Sequence, residues 1–509
     1  MKKRAILIIA AAFACSFTMT SMASQMQEIP DIYSVSYGEA FDGPEAQVIE
    51  GEVYVSDALR GASAIYISGG EHTFDSSFIY GAGTMTDDDR SAERSSQFGY
   101  CADVLANGYG TVVTLNDPII VSDPESYANG VFASAMAKIY VNGGQIYTNN
   151  AQGHGIDATY MGHVYVKNTV IHTAGSASGA LATDYGGGFI NAENIDCTTE
   201  LGGSPGIYCA GSSIIMCKDS VFNAINCEGV MNAHDHGIVV LENCRLFGET
   251  SALNGHQAMP SPEMSAGSYC FVFGGTLESG SGPVIKEDNG RTETTIVGAE
   301  CILGDYAYAI EALDDKGGIL TVNLWDTQLS GDIYSGAGAS VTINLYEGAV
   351  LTGDVSGEGE VVINVYPGGV YEGSFETVQM DEAAEKPVIG EFDDYLTTLW
   401  AAGMQKWDAR TMDTYVNEVE PVIIEGSACA LVEEGFSQTA FDPAVTDISE
   451  NGVDPELLDT SSAAGFGAPG ESGGGESGGG ESGGGESEGG ESEGESAPEG
   501  ESGEGTPED

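Results

Sequence analysis

The chain has 509 residues, with 16 Lys and Arg against 78 Asp and Glu and a formal net charge of -62. That balance excludes a nucleic-acid binder with a basic surface, because neutralising phosphates takes Lys and Arg, and it argues against docking on anionic lipid through basic patches. Glycine reaches 73 residues without a Gly-X-Y period, which excludes collagen, and 41% apolar residues can supply a large core.

The N-terminus reads Met1-Lys2-Lys3-Arg4, then an apolar run from Ala5 to Ala14, then the small-x-small site Ser21-Met22-Ala23. This order predicts a signal peptide over 1–23 and a mature protein that is secreted or held at the cell surface. The run is about half the length a bilayer span needs, and no later stretch is long and apolar enough, so no membrane span is expected. Phe13-Ala14-Cys15 resembles a bacterial lipobox, which makes a lipid anchor through Cys15 the alternative, although Ala12 stands where Leu is usual. Residues 24–45 form an N-terminal extension.

From about residue 46 the chain repeats itself. Segments beginning at Ile139, Val164, Phe189, Ile214 and Ile238 are 25, 25, 25 and 24 residues apart. A second series, Ile120, Ile146, Ile171, Cys197, Phe222 and Leu246, steps by 26, 25, 26, 25 and 24. A third runs through Ala133, Ala158, Ala182, Cys209 and Asn232. Each repeat holds three short alternating strands between Gly, Asn or Ser, with no helical period. One such repeat cannot bury its inner face alone, but a stack can. The expected fold is therefore all-β, a right-handed parallel β-helix over 46–380. Glu193, Lys218 and Glu242 should share a column as a salt ladder, and Asn323, Asn344 and Asn364 should stack as an amide ladder. Two insertions, Thr84 to Gln97 and Asn254 to Gly267, should leave the stack as loops.

Ten cysteines become nine once the signal is removed, and no Cys-x-x-Cys occurs. An odd count in a long chain argues against a disulfide scaffold, so the thiols should be small buried apolar groups. Cys197 should sit inward between Ile171 and Phe222, and Cys244 inward over Ser220. Residues 381–464 break the repeat: Phe392, Leu396, Leu399 and Trp400 predict one amphipathic helix over 391–405, a cap for the open end of the stack. Residues 465–509 are Gly, Glu and Ser repeats with almost no apolar side chain; such a tail cannot offset its ordering entropy and is expected to be disordered.

The coils resemble those of the pectin-lyase-like superfamily of parallel β-helices. More narrowly, Gly179-Ala180-Leu181-Ala182-Thr183-Asp184-Tyr185-Gly186-Gly187-Gly188, followed by Gly203-Ser204-Pro205-Gly206-Ile207-Tyr208, resembles secreted bacterial β-helix proteins of adhesin-like type. The resemblance covers about two-thirds of the chain. It implies a fold that hosts lyases, hydrolases, tailspikes and adhesins, and so leaves function open. Gly153-His154-Gly155 is similar to a polygalacturonase motif, but that pattern also needs a neighbouring Asp-Asp pair and an Arg-x-Lys, and no Arg-x-Lys exists here. His154 therefore reads as a turn residue.

Six of the seven histidines lie between His154 and His256. Aligned turns put Tyr160, Asp184, Gly211 and His234 in one column, with Tyr185, Asp235 and His236 beside it. His234-Asp235-His236 has the look of a metal pair with an acid, but Asp184 sits two coils away, about 10 Å, too far to share an ion. Tyr, Asp and His together suit sugar binding by stacking and hydroxyl hydrogen bonds; polar residues in solvated turns are the plain alternative. The expectation is a non-catalytic surface protein for adhesion or glycan binding, with Tyr160, Asp184, Tyr185, His234, Asp235 and His236 as the binding patch. A polysaccharide lyase or glycoside hydrolase and a structural stalk are the alternatives. No catalytic residue and no cofactor is assigned; the acidic excess leaves Ca²⁺ at turns open.

Overall fold

The computed structural model describes residues 52–389, except 57–60, 88–89, 91–93, 109, 186, 211–212, 234–236, 257–266 and 314–317, together with Ala430–Leu431. The expected helix over 391–405 and the acidic tail lie outside the described residues.

The described chain is a parallel β-helix. Two sheets of 13 strands and one of 12 run its length. A representative coil passes through Val131–Ser134 in sheet 1, Lys138–Asn142 in sheet 2 and Gln145–Thr148 in sheet 3, and the next coil begins at Ile156. Strands of successive coils pair in parallel, so each position stacks on its equivalent one rung away. The interior is aliphatic throughout. Ile139, Ile146 and Ile156 of one stretch and Leu320, Val322 and Ile333 of another are buried in a single continuous core.

The turn from sheet 2 to sheet 3 explains why Asn, Asp and Gly punctuate the repeat. In the coils up to Asp326 it has two residues, and the first takes a left-handed backbone: Asp117 at φ 48°, Asn168 at 56°, Asn194 at 51°, Asp219 at 48°, Asn243 at 52° and Asp326 at 46°. Short polar side chains tolerate that conformation better than other non-glycine residues. They also bond from rung to rung: Asn194 Nδ2 donates to Asn168 Oδ1 at 2.8 Å, and Asn243 Nδ2 to Asp219 Oδ1 at 2.6 Å.

The expected ladders are present. Asn344 Nδ2 donates to Asn323 Oδ1 at 2.7 Å, and Asn364 Nδ2 to Asn344 Oδ1 at 2.8 Å. Glu193, Lys218 and Glu242 share one column, with Lys218 Nζ 3.2 Å from Glu242 Oε1. The series from Ile120 to Leu246 is a true interior column.

Two of the expected series slip by one. Val164 pairs with Ile190, not Phe189, and Ala158 pairs with Thr183, not Ala182. The first slip comes from the turn between sheets 1 and 2. Three residues, Thr159 to Met161, separate Ala158 from Gly162, but four, Asp184 to Gly187, separate Thr183 from Gly188. The extra residue moves Phe189 to the outer face, where it stacks on His163 with ring centroids 4.7 Å apart. The second arises one strand earlier: Leu181, Thr183 and the intervening Ala182 alternate, and only Leu181 and Thr183 stack on the inward-facing Ile156 and Ala158.

Two expectations can be measured. Cys197 and Cys244 are buried among core residues, and burial pushes the Cys197 thiol well up and that of Cys244 up to about 12. Both should stay unlabelled by a thiol reagent until denaturant is added, since the thiolate is the reactive form. Asn344 sits mid-ladder with amide bonds on both sides, so Asn344→Ala should lower unfolding free energy by about 1–2 kcal/mol, and Asn364→Ala at the ladder's end by less. Denaturant titration of both variants gives the comparison.

Candidate functional site

The first insertion changes one outer face. A short helix, Arg94–Phe98, folds back over sheet 1. Tyr66, Leu105 and Phe132 on that face form an apolar cluster with Tyr100, Cys101 and Ala102 from the returning insertion, and Phe98 packs against it. The Phe98 ring stacks on Tyr160 with centroids 5.8 Å apart, and the guanidinium of Arg90 lies 4.8 Å from the ring centre of Tyr127. Thr159 Oγ1 donates to Gln97 O at 3.0 Å.

Next to this cluster lies Asp157. Ile156 and Ala158 point into the interior core, so alternation turns Asp157 outward, between Phe132 on the preceding rung and Ala182 on the following one. Its carboxyl is nevertheless fully buried, no side chain hydrogen-bonds to it, and only the Ala158 backbone beside it favours its charged form. Burial above all, and then the neighbouring charge of Asp184, hold this carboxyl well above the usual carboxylate range. Burial in so dry a site disfavours its charged form. Ionised, it would be an uncompensated charge in a dry site.

The rim of the same area is aromatic. His154 stacks parallel to Tyr208, with centroids 6.2 Å apart and planes 4° from parallel. His154 Nδ1 accepts from Gly179 N at 2.9 Å, and burial lowers its pKa to about 4. The ring is thus a neutral acceptor fixed in a turn, as its Gly-His-Gly setting implies.

Among the sequence-predicted residues, Tyr160, Asp184 and Tyr185 come together. Tyr160 N donates to Tyr185 O at 2.8 Å, and burial followed by the charge of Asp184 raises the Tyr160 phenol. Asp184 and Tyr185 are half-buried at the surface. Tyr160 is only 3% exposed, because Phe98 covers it. His234, Asp235 and His236 lie outside the described residues, as does 257–266 of the second insertion. Other histidines serve the fold: His163 stacks on Phe189, and His172 Nε2 lies 2.9 Å from Glu200 Oε1. Asp157 and Tyr208 were not singled out by the sequence. An acid at an outward strand position is ordinary, and spacing gives no sign of the burial the structure shows. Among the described residues, no cluster of three or more His, Cys, Asp or Glu is arranged to hold a metal ion.

A second polar locus lies further along the stack. A cleft of about 330 Å³ is lined by Gly267, Ser268, Tyr269, Arg291, Thr292, Glu293 and Thr321. Glu287 faces the nearby corner of the interior, fully buried, and accepts from Gly290 N at 2.5 Å. Desolvation pushes its carboxyl up to about 8, the nearby hydrogen bonds only partly opposing it. This acid reads as a structural cost rather than a reacting group.

Compared with protein-family profiles, curated proteins and solved structures, the chain matches none.

The Glu287 environment makes stability depend on pH. Its folded pKa is above the unfolded value, so the stability it allows is complete below about 4.5 and lost as pH rises through about 8. Glu287→Gln removes that loss. The variant should be more stable than the parent at pH 8, on the order of 1–3 kcal/mol, with the difference shrinking towards pH 4.5. Thermal unfolding of both proteins across that window tests the sign.

Proposed function

We propose that this chain is a secreted or cell-surface β-helix protein that binds a neutral glycan on the outer face of sheet 1, beside the first insertion. The carrying observation is the Asp157 carboxyl, fully buried with no side-chain hydrogen-bond partner beside the half-buried Asp184, with Tyr185 next in that turn and Tyr208 two rungs on in the Asp157 column. A merely solvated turn satisfies its polar groups with water, whereas a buried orphan carboxyl costs about 1–3 kcal/mol and marks a place held for something else. Tyr185 and Tyr208 offer ring surface to a sugar, and Asp184 offers acceptors to its hydroxyls. The formal charge of -62 repels polyanionic chains, which favours uncharged sugars over uronates.

A second reading draws on the same pair of acids. A buried carboxyl whose charged form is disfavoured, beside another carboxyl, resembles the arrangement by which glycosidases hold a general acid near a second catalytic carboxylate. Asp157 would protonate the leaving oxygen. The absence of an Arg-x-Lys in the sequence weighs against the lyase and polygalacturonase patterns, and the binding reading stands first.

Screening the full chain over a glycan array separates the two. Binding should fall on neutral glycans, survive EDTA, and weaken at least about tenfold, or 1.4 kcal/mol, in the Tyr185→Ala/Tyr208→Ala double variant. Unchanged affinity in a folded double variant would remove the site. Release of new reducing ends from the bound polysaccharide, lost in Asp157→Asn, would replace the binding reading with the hydrolytic one.

A further inference from the structure

Sheet 2 carries apolar side chains on its outer face as well as its inner one over its middle strands. The outward residues of sheet 3 strands are exposed or half-buried, as in Val221–Ala224 and Arg245–Gly248. By contrast Ile214–Lys218 and Ile238–Glu242 are buried at four consecutive positions. Ile215, Cys217, Val239 and Leu241 belong to the interior, so Ile214, Met216, Ile238 and Val240 point away from it. These outward residues join Phe189, Phe271 and Trp325 in a second apolar cluster that runs along the outside of the sheet. Ile214 is 0%, Ile238 1% and Val240 1% exposed. Continuous apolar strands of this kind belong to sheets covered on both sides.

Three facts identify the cover. Ile389, the last described residue after the coils, is itself a member of the outer cluster. Just before it, Lys386 pairs with Asp326, in the turn that follows Trp325. At the other end of the stack, Ala430–Leu431 pairs antiparallel with Ala62–Ser63, next to the first strand of sheet 1. The chain between Ile389 and Ala430 therefore starts on the stripe at the strand Ile319–Trp325 and ends by the first coil. Nine rung steps in sheet 2 separate Ile319–Trp325 from its first strand, about 43 Å at 4.8 Å per step. The roughly 40 intervening residues reach that far even if wholly helical, at about 1.5 Å each. Phe392, Leu396, Leu399 and Trp400 supply an apolar side at helical spacing three residues after Ile389.

We propose that residues 390–429 run back along the outside of sheet 2, with the apolar side of 391–405 seated on the Phe189–Ile238–Phe271–Trp325 stripe. The segment is a lengthwise strap and not a plug for the open end. The last coil itself leaves Val370 43% and Val378 50% exposed.

The full chain with Tyr165, a half-buried neighbour of the stripe, replaced by a benzoylphenylalanine photocrosslinker tests this. Irradiation should give an intramolecular product that mass spectrometry maps to 390–429. A crosslinked dimer would assign the stripe to a second copy, and crosslinking only to other parts of the same chain, or none, would equally overturn the proposal. As an independent measure, Leu396→Asp/Trp400→Asp should raise binding of an apolar-surface dye severalfold in a protein that keeps its β circular dichroism, while Val378→Asp should not. A folded Leu396→Asp/Trp400→Asp variant with unchanged dye binding overturns it.

Discussion

The structure depends on one requirement, that every rung pair in parallel with the next in fixed register. Parallel ladders leave no freedom in which residue lies above which, so each column must be tolerable to itself. Aliphatic columns pack, amide columns bond, and charged columns must alternate. The sequence of -62 net charge meets the last condition sparingly: Glu193, Lys218 and Glu242 alternate where bases exist. Elsewhere Asn stands where another acid would face an acid, as Asn243 does over Asp219 and Asn116 over Asp75. The same requirement fixes the left-handed residue of the two-residue turn, because a column that must take φ near 50° accepts Asn, Asp or Gly on rung after rung.

Much of this was legible in the sequence because stacking makes a fold periodic. The interior column from Ile120 to Leu246 could be read to the residue, and so could both ladders. Register was lost at Phe189 and Ala182 for a physical reason. Both residues are small enough or apolar enough to suit either face, so spacing alone cannot tell an outward Phe189 packed on His163 from an inward one. A coil of 26 residues, lengthened by one in the turn Asp184 to Gly187, hides its extra residue until the strands are paired.

The candidate site was legible only in part, because its defining property is not local. Asp184 and Tyr185 stand in an irregular Gly-rich turn and draw notice as such. Asp157 sits in Gly-Ile-Asp-Ala, a pattern that reads as a strand with a solvated acid. In the structure it is a fully buried carboxyl, on the face where residues 94–102, some 60 positions earlier, fold across the neighbouring rungs and carry Phe98 onto Tyr160. A solenoid is locally encoded within coils and between adjacent ones. Its insertions are where distant sequence meets, and burial that depends on them cannot be found by spacing.

The same distinction bears on how the stack holds together. Contacts between adjacent rungs give a one-dimensional array, which frays from its ends and can open anywhere at the cost of a single interface. Two features break that simplicity. The first insertion ties several rungs of sheet 1 through one cluster that includes Tyr66, Phe132 and Tyr160. On sheet 2, the outer stripe reaches from Met136 to Trp325, and Ile389 joins it from beyond the coils, while Ala430–Leu431 returns to the first coil. These two contacts lie far apart along the stack, and each ties a coil to chain beyond the coils and not only to the next rung. The outer face of sheet 1 beside Asp184 and Tyr185 is thus held by more than the rungs on either side of it, because Phe98, from far earlier in the chain, packs on Tyr160 next to them.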